Sequence, residues 1–320
     1  MRKSDMVDFG CRSNTNSAFA VVGAGALGSV FAAALVAAGN QVFLLGRRPT
    51  PGITVCEPPC SVRETVLPVE TDPAIIAEAG FVLMLVKAYD TEQATRHIAP
   101  YLRPDATVVT LQNGLGNVAR IRANLPESQR ILAGVTSQAA RRVSPGLILH
   151  TGVGPTVIGY RTGDERVSAD RIVARLSNAG LPTVASGDID RFVWQKVAIN
   201  AAINGLTAVA GVPNGALLAR PSLMAASSAL LDEATTVASA HGYDLVAIHR
   251  ALRDTITATA NNRSSMLQDI DAGRRTEVDA IYGSLIAAGH THGLALPALT
   301  VIEALVRSVS AFDGDKEALD

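Results

Sequence analysis

The stretch Phe19-Ala-Val-Val-Gly-Ala-Gly-Ala-Leu-Gly28 restricts what this chain can fold into more than any other. A short apolar strand, Phe19–Val22, runs at once into Gly23-Ala24-Gly25-Ala26-Leu27-Gly28. An Ala-rich helix follows to Ala38, then a Gly39-Asn40 stop and a second strand, Gln41–Leu45. Strand, glycine turn, helix N-terminus and strand form the setting in which such a glycine run holds a dinucleotide. The first glycine permits the turn, the second lets backbone approach the pyrophosphate, and the third lets helix pack on strand. The helix N-terminus then offers unpaired N–H groups to phosphate. Gly23, Ala24, Gly25, Ala26, Leu27 and Gly28 are therefore the expected cofactor-binding turn. An NAD site would carry Asp or Glu at the end of the second strand. Here Gly46-Arg47-Arg48 stand there, and the next carboxylate is Glu57. A guanidinium suits a 2′-phosphate, so NADP is expected over NAD, with Arg47 as its contact. A solvated loop charge is the plainer alternative for Arg47.

The remainder of the first half continues an α/β pattern. Pro51–Pro68 reads as loop with a strand near Val66, and Asp72-Pro73 as the start of a short helix. Phe81–Val86 is a near-continuous apolar run, as expected of a strand buried on both faces of a parallel sheet, and it delivers Lys87. Thr91–Tyr101 reads as helix. Strands Thr107–Leu111 and Ile131–Val135 deliver Asn113 and a Ser137–Ala140 loop. Ligands in doubly wound sheets sit off these carboxyl ends, so Lys87, Asn113 and that loop should ring the nicotinamide half of a cleft. Gly146–His150 and Thr156–Gly159 read as strands extending the sheet, followed by helix Glu165–Ala179 and strand Thr183–Ala185.

From Asp188 onward strand patterning disappears. The expected organisation is a tail over residues 1–18, a Rossmann-type doubly wound domain over 19–187 and an all-helical domain over 188–320. In the segment from Asp188 to Leu217, Lys196, Asn200 and Asn204 fall at i, i+4 and i+8 and share one helix face. Val193, Val197, Ile199 and Ile203 flank that face. One ammonium and two amides in an apolar setting need partners, because an unpaired buried polar group costs roughly 1–3 kcal/mol. Neighbouring backbone and solvent can supply them, and so can a polar ligand.

Charged residues make up 18% of the 320-residue chain and the formal net charge is -1, giving no broad electrostatic reason for a nucleic-acid or acidic-membrane partner. Cys11, Cys56 and Cys60 lack metal-ligand or disulfide-framework spacing and suit free thiols in a reducing compartment. His290 and His292 have no Cys, His or Glu cluster beside them, so no metal site is expected. The uncharged spans Ala18–Gly46 and Val197–Ala219 are interrupted by glycines, asparagines and Pro213 and suit a buried core better than a bilayer. Met1–Ser17 contains Asp5 and Asp8, lacks an apolar run and reads as a disordered tail. A cytoplasmic protein, monomer or homodimer, is the expectation.

In order along the chain, VGAGALG, LVKAYD, LQNGLG, QAARR, WQKVAINAAINGLTA, GVPNGAL, RSSMLQDI and RTEVD resemble the ketopantoate reductase (2-dehydropantoate 2-reductase) family from about Phe19 to near Pro297. The resemblance implies a Rossmann domain followed by an all-helical domain. It implies NADPH-dependent reduction of ketopantoate to pantoate, within pantothenate and coenzyme A biosynthesis. By this resemblance Lys196 matches the general acid, and Asn113 touches both cofactor and substrate. Asn200, Asn204, Asn214 and Ser265 match substrate contacts, with Asn262 a further candidate. Arg47, Lys87, Ala140 and Glu277 match positions near the NADPH, and Glu277 is expected also to hydrogen-bond substrate or the lysine and so to join Lys196 as a catalytic residue. The chain departs from the pattern at Gly205, where the family usually has proline, and in the tail before Ser17.

The implied chemistry asks for a cation near the ketone oxygen as that oxygen gains negative charge. Burial should lower the pKa of Lys196 and Glu277 should oppose that shift. The expected substrate is a small anionic 2-oxo acid. Two other readings compatible with the same residues are another NADP-dependent 2-oxo or hydroxy acid oxidoreductase of this architecture and a non-catalytic NADPH-sensing protein.

Overall fold

A computed structural model describes residues 18–57, 61–65 and 67–310. The chain builds β1 (Phe19–Val22), α1 (Ala26–Ala37), β2 (Val42–Leu45), β3 (Ile53–Glu57), β4 (Ser61–Thr65), β5 (Val69–Glu70), β6 (Phe81–Met84), α2 (Thr91–Ile98), β7 (Thr107–Thr110), α3 (Asn117–Arg122) and β8 (Arg130–Thr136). It continues through β9 (Ala139–Ser144), β10 (Leu147–Gly152), β11 (Thr156–Gly159), α4 (Gly163–Asn178) and β12 (Thr183–Ser186). Helices alone follow: α5 (Ile189–Ala210), α6 (Ala216–Ala219), α7 (Pro221–Ala240), α8 (Ile248–Ala258), α9 (Ser265–Asp271), α10 (Ser284–His290) and α11 (Pro297–Val309). A single π-helical turn, Asp279–Gly283, leads into α10.

The main sheet has eight strands in the order β12-β11-β8-β7-β6-β1-β2-β5. All its pairings are parallel except that of β11 with β8. Every residue of β1, β6 and β7 is buried, which explains why β1 and β6 run apolar without alternation. Strand order reverses at β1, between β2 and β6, and the glycine turn leaves the sheet at that point. The architecture is thus an α/β Rossmann-type sheet followed by an all-α half.

Three expectations from the sequence are corrected here. The stretch expected to extend the main sheet at 146–150 instead forms β10 of a second, four-stranded sheet, β4-β3-β10-β9. Much of what read as loop after Pro51 supplies β3 and β4 of the same sheet, and the Ser137–Ala140 segment runs into β9. The expected strand near Val66 lies outside the described residues. The physical reason is visible in α1. Its residues Gly28–Leu35 are all buried, because the main sheet covers one side and the small sheet the other. A helix without a polar face requires such a second cover.

Cap chemistry accounts for two further boundaries, at Thr162 and Asp72. Thr162 and Glu165 form a reciprocal capping box that starts α4 two residues before the apolar pattern suggested. Asp72 accepts from Ala74 N at 2.9 Å, with Pro73 at the first position, but the turn it opens is 3₁₀. Asp188 precedes α5 without capping it and instead pairs with Arg191 Nε at 2.8 Å.

The long, mostly apolar helix α5 is the central rod of the helical half, with α7, α8, α9 and α11 packed around it. Its first turns lie against β8 and β11, where Ile189 joins Ala133, Val135 and Val157. That contact brings a helix face to the carboxyl edge of the sheet. Among the described residues no helix is long and apolar enough to cross a membrane.

Candidate active site

A cleft of about 2290 Å³ runs between the sheet's carboxyl edge and the helices. Its sheet wall begins at the glycine turn. Gly23 has φ 117°, and a Cβ there would lie 2.6 Å from both the Leu85 carbonyl carbon and Val86 N. A Cβ on Gly28 would run into the Gly23 carbonyl oxygen. Gly25 is the opposite case, since nothing lies within 4 Å of where its Cβ would stand. Gly25 precedes α1 with no side-chain cap, so the first N–H groups of the helix remain available to a ligand. Ser29 Oγ, just inside the helix and on the cleft lining, is buried without a partner. An open second glycine, uncapped N–H groups and an orphan hydroxyl fit a nucleotide pyrophosphate.

Farther along the wall, the ends of β6 and β7 deliver Lys87 and Asn113. Both are tied to the helical half. Lys87 Nζ lies 2.5 Å from Asp269 Oδ2 and 3.6 Å from Glu277 Oε2. Burial alone would lower the pKa of Lys87, but the Glu277 and Asp269 carboxylates outweigh it and hold the ammonium charged above its ordinary value. Glu277 is 6% exposed; its Oε1 accepts from Ala88 N at 2.9 Å and its Oε2 from Asn113 Nδ2 at 3.3 Å. One carboxylate on the helical side therefore holds the ends of two adjacent strands.

Lys196 comes from α5 and reaches the sheet, where Nζ donates to the Thr136 carbonyl at the end of β8 at 2.7 Å. Burial pulls its pKa down to about 8, against the upward pull of Glu277. Asn200 and Asn204 line the cleft on the same helix face, and Asn204 is 6% exposed. Asn214 Nδ2 donates to Thr259 Oγ1 at 2.9 Å, while its Oδ1 is buried without a partner. The two serines before Met266 divide their work. Ser264 caps α9, accepting from Leu267 N at 3.2 Å, and Ser265 is left on the cleft wall. Asn262 also lines the cleft, and its carbonyl accepts from Asn214 N at 3.0 Å.

All the residues singled out from the sequence line this one cleft except Gly28, which sits behind the wall and shapes it. Ala140 lies on β9 rather than on a loop. Arg47 stands at the rim beyond β2, its side chain 81% exposed, and among the described residues its ion pair is a 3.5 Å one to Asp90. Three participants escaped the sequence reading. Thr136 acts through its carbonyl, which any residue could supply. Asp269 is 2% exposed and clamps Lys87 and Arg274, but an acidic residue on a short helix carries no local sign of burial. Arg142 on β9 donates to the Ala24 carbonyl at 2.9 Å and was hidden because β9 itself was missed.

Two successive family models match the chain. Residues 19–163 match ketopantoate reductase PanE/ApbA, and residues 188–310 match ketopantoate reductase PanE/ApbA C terminal. The chain belongs to the ketopantoate reductase family. Among similar family members, the 2-dehydropantoate 2-reductase of Halobacterium salinarum is 36% identical over 296 residues, covering 90% of this chain and 97% of the relative. That of Vibrio cholerae is 35% identical over 285 residues, covering 87% and 92%. A solved PanE/ApbA family ketopantoate reductase from Ralstonia eutropha superposes with a TM-score of 0.83 at 30% identity, covering 94% of this chain and 99% of that one. D-mandelate dehydrogenase, solved with NADH and anilino(oxo)acetate, shares the fold at TM-score 0.84 and 23% identity, covering 91% and 98%.

Proposed function

We propose that this chain reduces 2-dehydropantoate to pantoate with NADPH, with Lys196 as the general acid. The observation that carries the reading is Lys196 itself. A half-buried ammonium on the helical side crosses the cleft to the sheet edge, and two amides that line the cleft follow it at i+4 and i+8 on the same face. Membership of the family and its 2-dehydropantoate 2-reductase relatives support the substrate.

Gly23–Leu27 and the α1 N-terminus would hold the pyrophosphate, Arg47 the 2′-phosphate, and Lys87, Asn113, Ala140 and Glu277 the nicotinamide end. The exposed Arg47 guanidinium, with one long ion pair among the described residues, is free to turn to a phosphate, which supports NADPH over NADH. When bound, the reduced nicotinamide supplies a hydride to the ketone carbon. Lys196 does the rest at the carbonyl oxygen: its positive charge lowers the energy of the developing alkoxide and its Nζ gives up the proton that completes the alcohol. The Thr136 carbonyl fixes the direction of Nζ, and a pKa near 8 keeps that proton both present and transferable at neutral pH. Ser265 and Asn262 are positioned for the substrate carboxylate, and Asn200, Asn204 and Asn214 for its carboxylate and hydroxyl oxygens.

The test is loss of NADPH absorbance with ketopantoate, run beside NADH and beside pyruvate-like decoys. Efficient oxidation by ketopantoate alone is expected. Tight NADPH binding with no oxidation by any 2-oxo acid would overturn the reductase reading.

A further inference from the structure

The departure at Gly205 has a counterpart elsewhere in the molecule. In a regular α5 the N–H of Gly205 would bond the carbonyl of Ala201, four residues back. Here Gly205 N donates to Tyr282 Oη at 2.8 Å, and Tyr282 Oη donates to the Ala201 carbonyl at 2.7 Å. A phenol hydroxyl thus bridges the two ends of one rung of the helix ladder. The rung lies between the two asparagines: Asn200 immediately precedes Ala201, and Asn204 immediately precedes Gly205.

The fit is specific to this pair of residues. A Cβ on residue 205 would collide with Tyr282 Oη, stand 2.9 Å from its Cζ and 2.8 Å from Ile302 Cγ1. Only glycine leaves room for the ring. Tyr282 is fully buried, and burial raises its pKa above the ordinary tyrosine range, so the hydroxyl keeps the proton that Ala201 accepts. The ring is delivered by the π-helical turn Asp279–Gly283, whose Ala280 carbonyl accepts from Leu115 N at 3.3 Å on the sheet side. Glu277, which holds Ala88 and Asn113, stands just before the same turn. π-helical turns of this kind recur at functional sites.

We propose that Tyr282 is a positioning residue for the substrate: its hydroxyl bridges α5 between Ala201 and Gly205 and so sets the direction in which Asn200 and Asn204 present their amides to the 2-oxo acid. The Tyr282 hydroxyl takes up the Gly205 N–H, the donor that the family's usual proline lacks. This rests on the substrate reading given above. It makes a prediction that a packing role alone does not: loss of the hydroxyl acts on the substrate half of the cleft and leaves the nucleotide half alone.

The experiment compares the unsubstituted enzyme with Y282F, which keeps the ring and loses the bridge. The expected result is a ketopantoate KM raised about tenfold, the size expected for one lost bridging interaction, with NADPH Kd unchanged and the circular dichroism spectrum retained. Calorimetric binding of ketopantoate to the protein loaded with oxidised NADP gives the same comparison without turnover. Failure of the unsubstituted enzyme to reduce ketopantoate would therefore strike the substrate reading, and an unchanged KM or Kd for ketopantoate in Y282F would strike this one. A fall in NADPH affinity parallel to the loss of ketopantoate affinity would also overturn it.

Discussion

Lys196 is a half-buried cation on the cleft wall. Lys196→Ala is expected to lower kcat by about 10²–10⁴ while leaving NADPH affinity unchanged, measured by steady-state kinetics and fluorescence titration. An unchanged kcat removes the lysine from the chemistry. The pH dependence follows from its sign. The acid must be protonated, and its pKa of about 8 lies below that of a free lysine. The kcat/KM for ketone reduction should therefore be level below pH 8 and fall as pH rises through it. Glu277 holds that pKa up, so Glu277→Gln should move the falling limb to lower pH. Movement to higher pH, or none, contradicts the assignment of the limb to Lys196. The lysine and its two asparagines were legible because a period of four on a helix is local arithmetic. Asp269 and Tyr282 were not, because what makes them matter is a partner far away in the chain.

At the scale of elements, the β1–α1 turn has two glycines only three residues apart with opposite surroundings, Gly25 facing open space and Gly28 packed on the Gly23 carbonyl. Gly25 has φ -76°, which alanine adopts freely, and open space at its Cβ. Gly25→Ala should change stability by no more than about 0.5 kcal/mol yet weaken NADPH binding by about tenfold or more, as its methyl occupies the approach to the pyrophosphate. Gly28→Ala drives a methyl into the Gly23 carbonyl and should lower stability by about 1–3 kcal/mol. Thermal denaturation and NADPH titration of the two variants check the pair, and a destabilised Gly25→Ala would mean that the space is filled by protein. The same turn was the most readable element in the chain, since strand, glycines and helix are contiguous. The four-stranded sheet was the least readable. Its strands are short, come from two separated stretches, and join β3 to β10 in parallel, a pairing that no local pattern announces.

At the scale of the whole molecule, both halves line one cleft, so a nucleotide bound there stabilises the fold as a ligand of the native state. NADPH at about 100 times its Kd contributes about 2.7 kcal/mol and should raise Tm by on the order of 5 °C. NADH at the same concentration should raise it less, and Arg47→Ala should reduce that difference, as read by thermal shift. Equal shifts for the two nucleotides with the unsubstituted protein would take Arg47 out of cofactor selection. The carboxylates of Asp269 and Glu277, both from the helical side, hold strand ends on the sheet side, so the geometry of the cleft is a property of the assembled molecule rather than of either half.

By itself the sequence determined the order of strand and helix, the cofactor turn, the change to helices after Asp188 and the lysine with its two asparagines. Each of these depends on residues within a few positions of one another, where periodicity and turn chemistry act. Only the tertiary structure decided which carbonyl aims Lys196, which carboxylate clamps Lys87, how α1 gains its second cover and how a tyrosine bridges a rung of α5. Those are contacts between residues dozens to more than a hundred positions apart, and whether a polar group is costly or useful there depends on a burial that only packing creates.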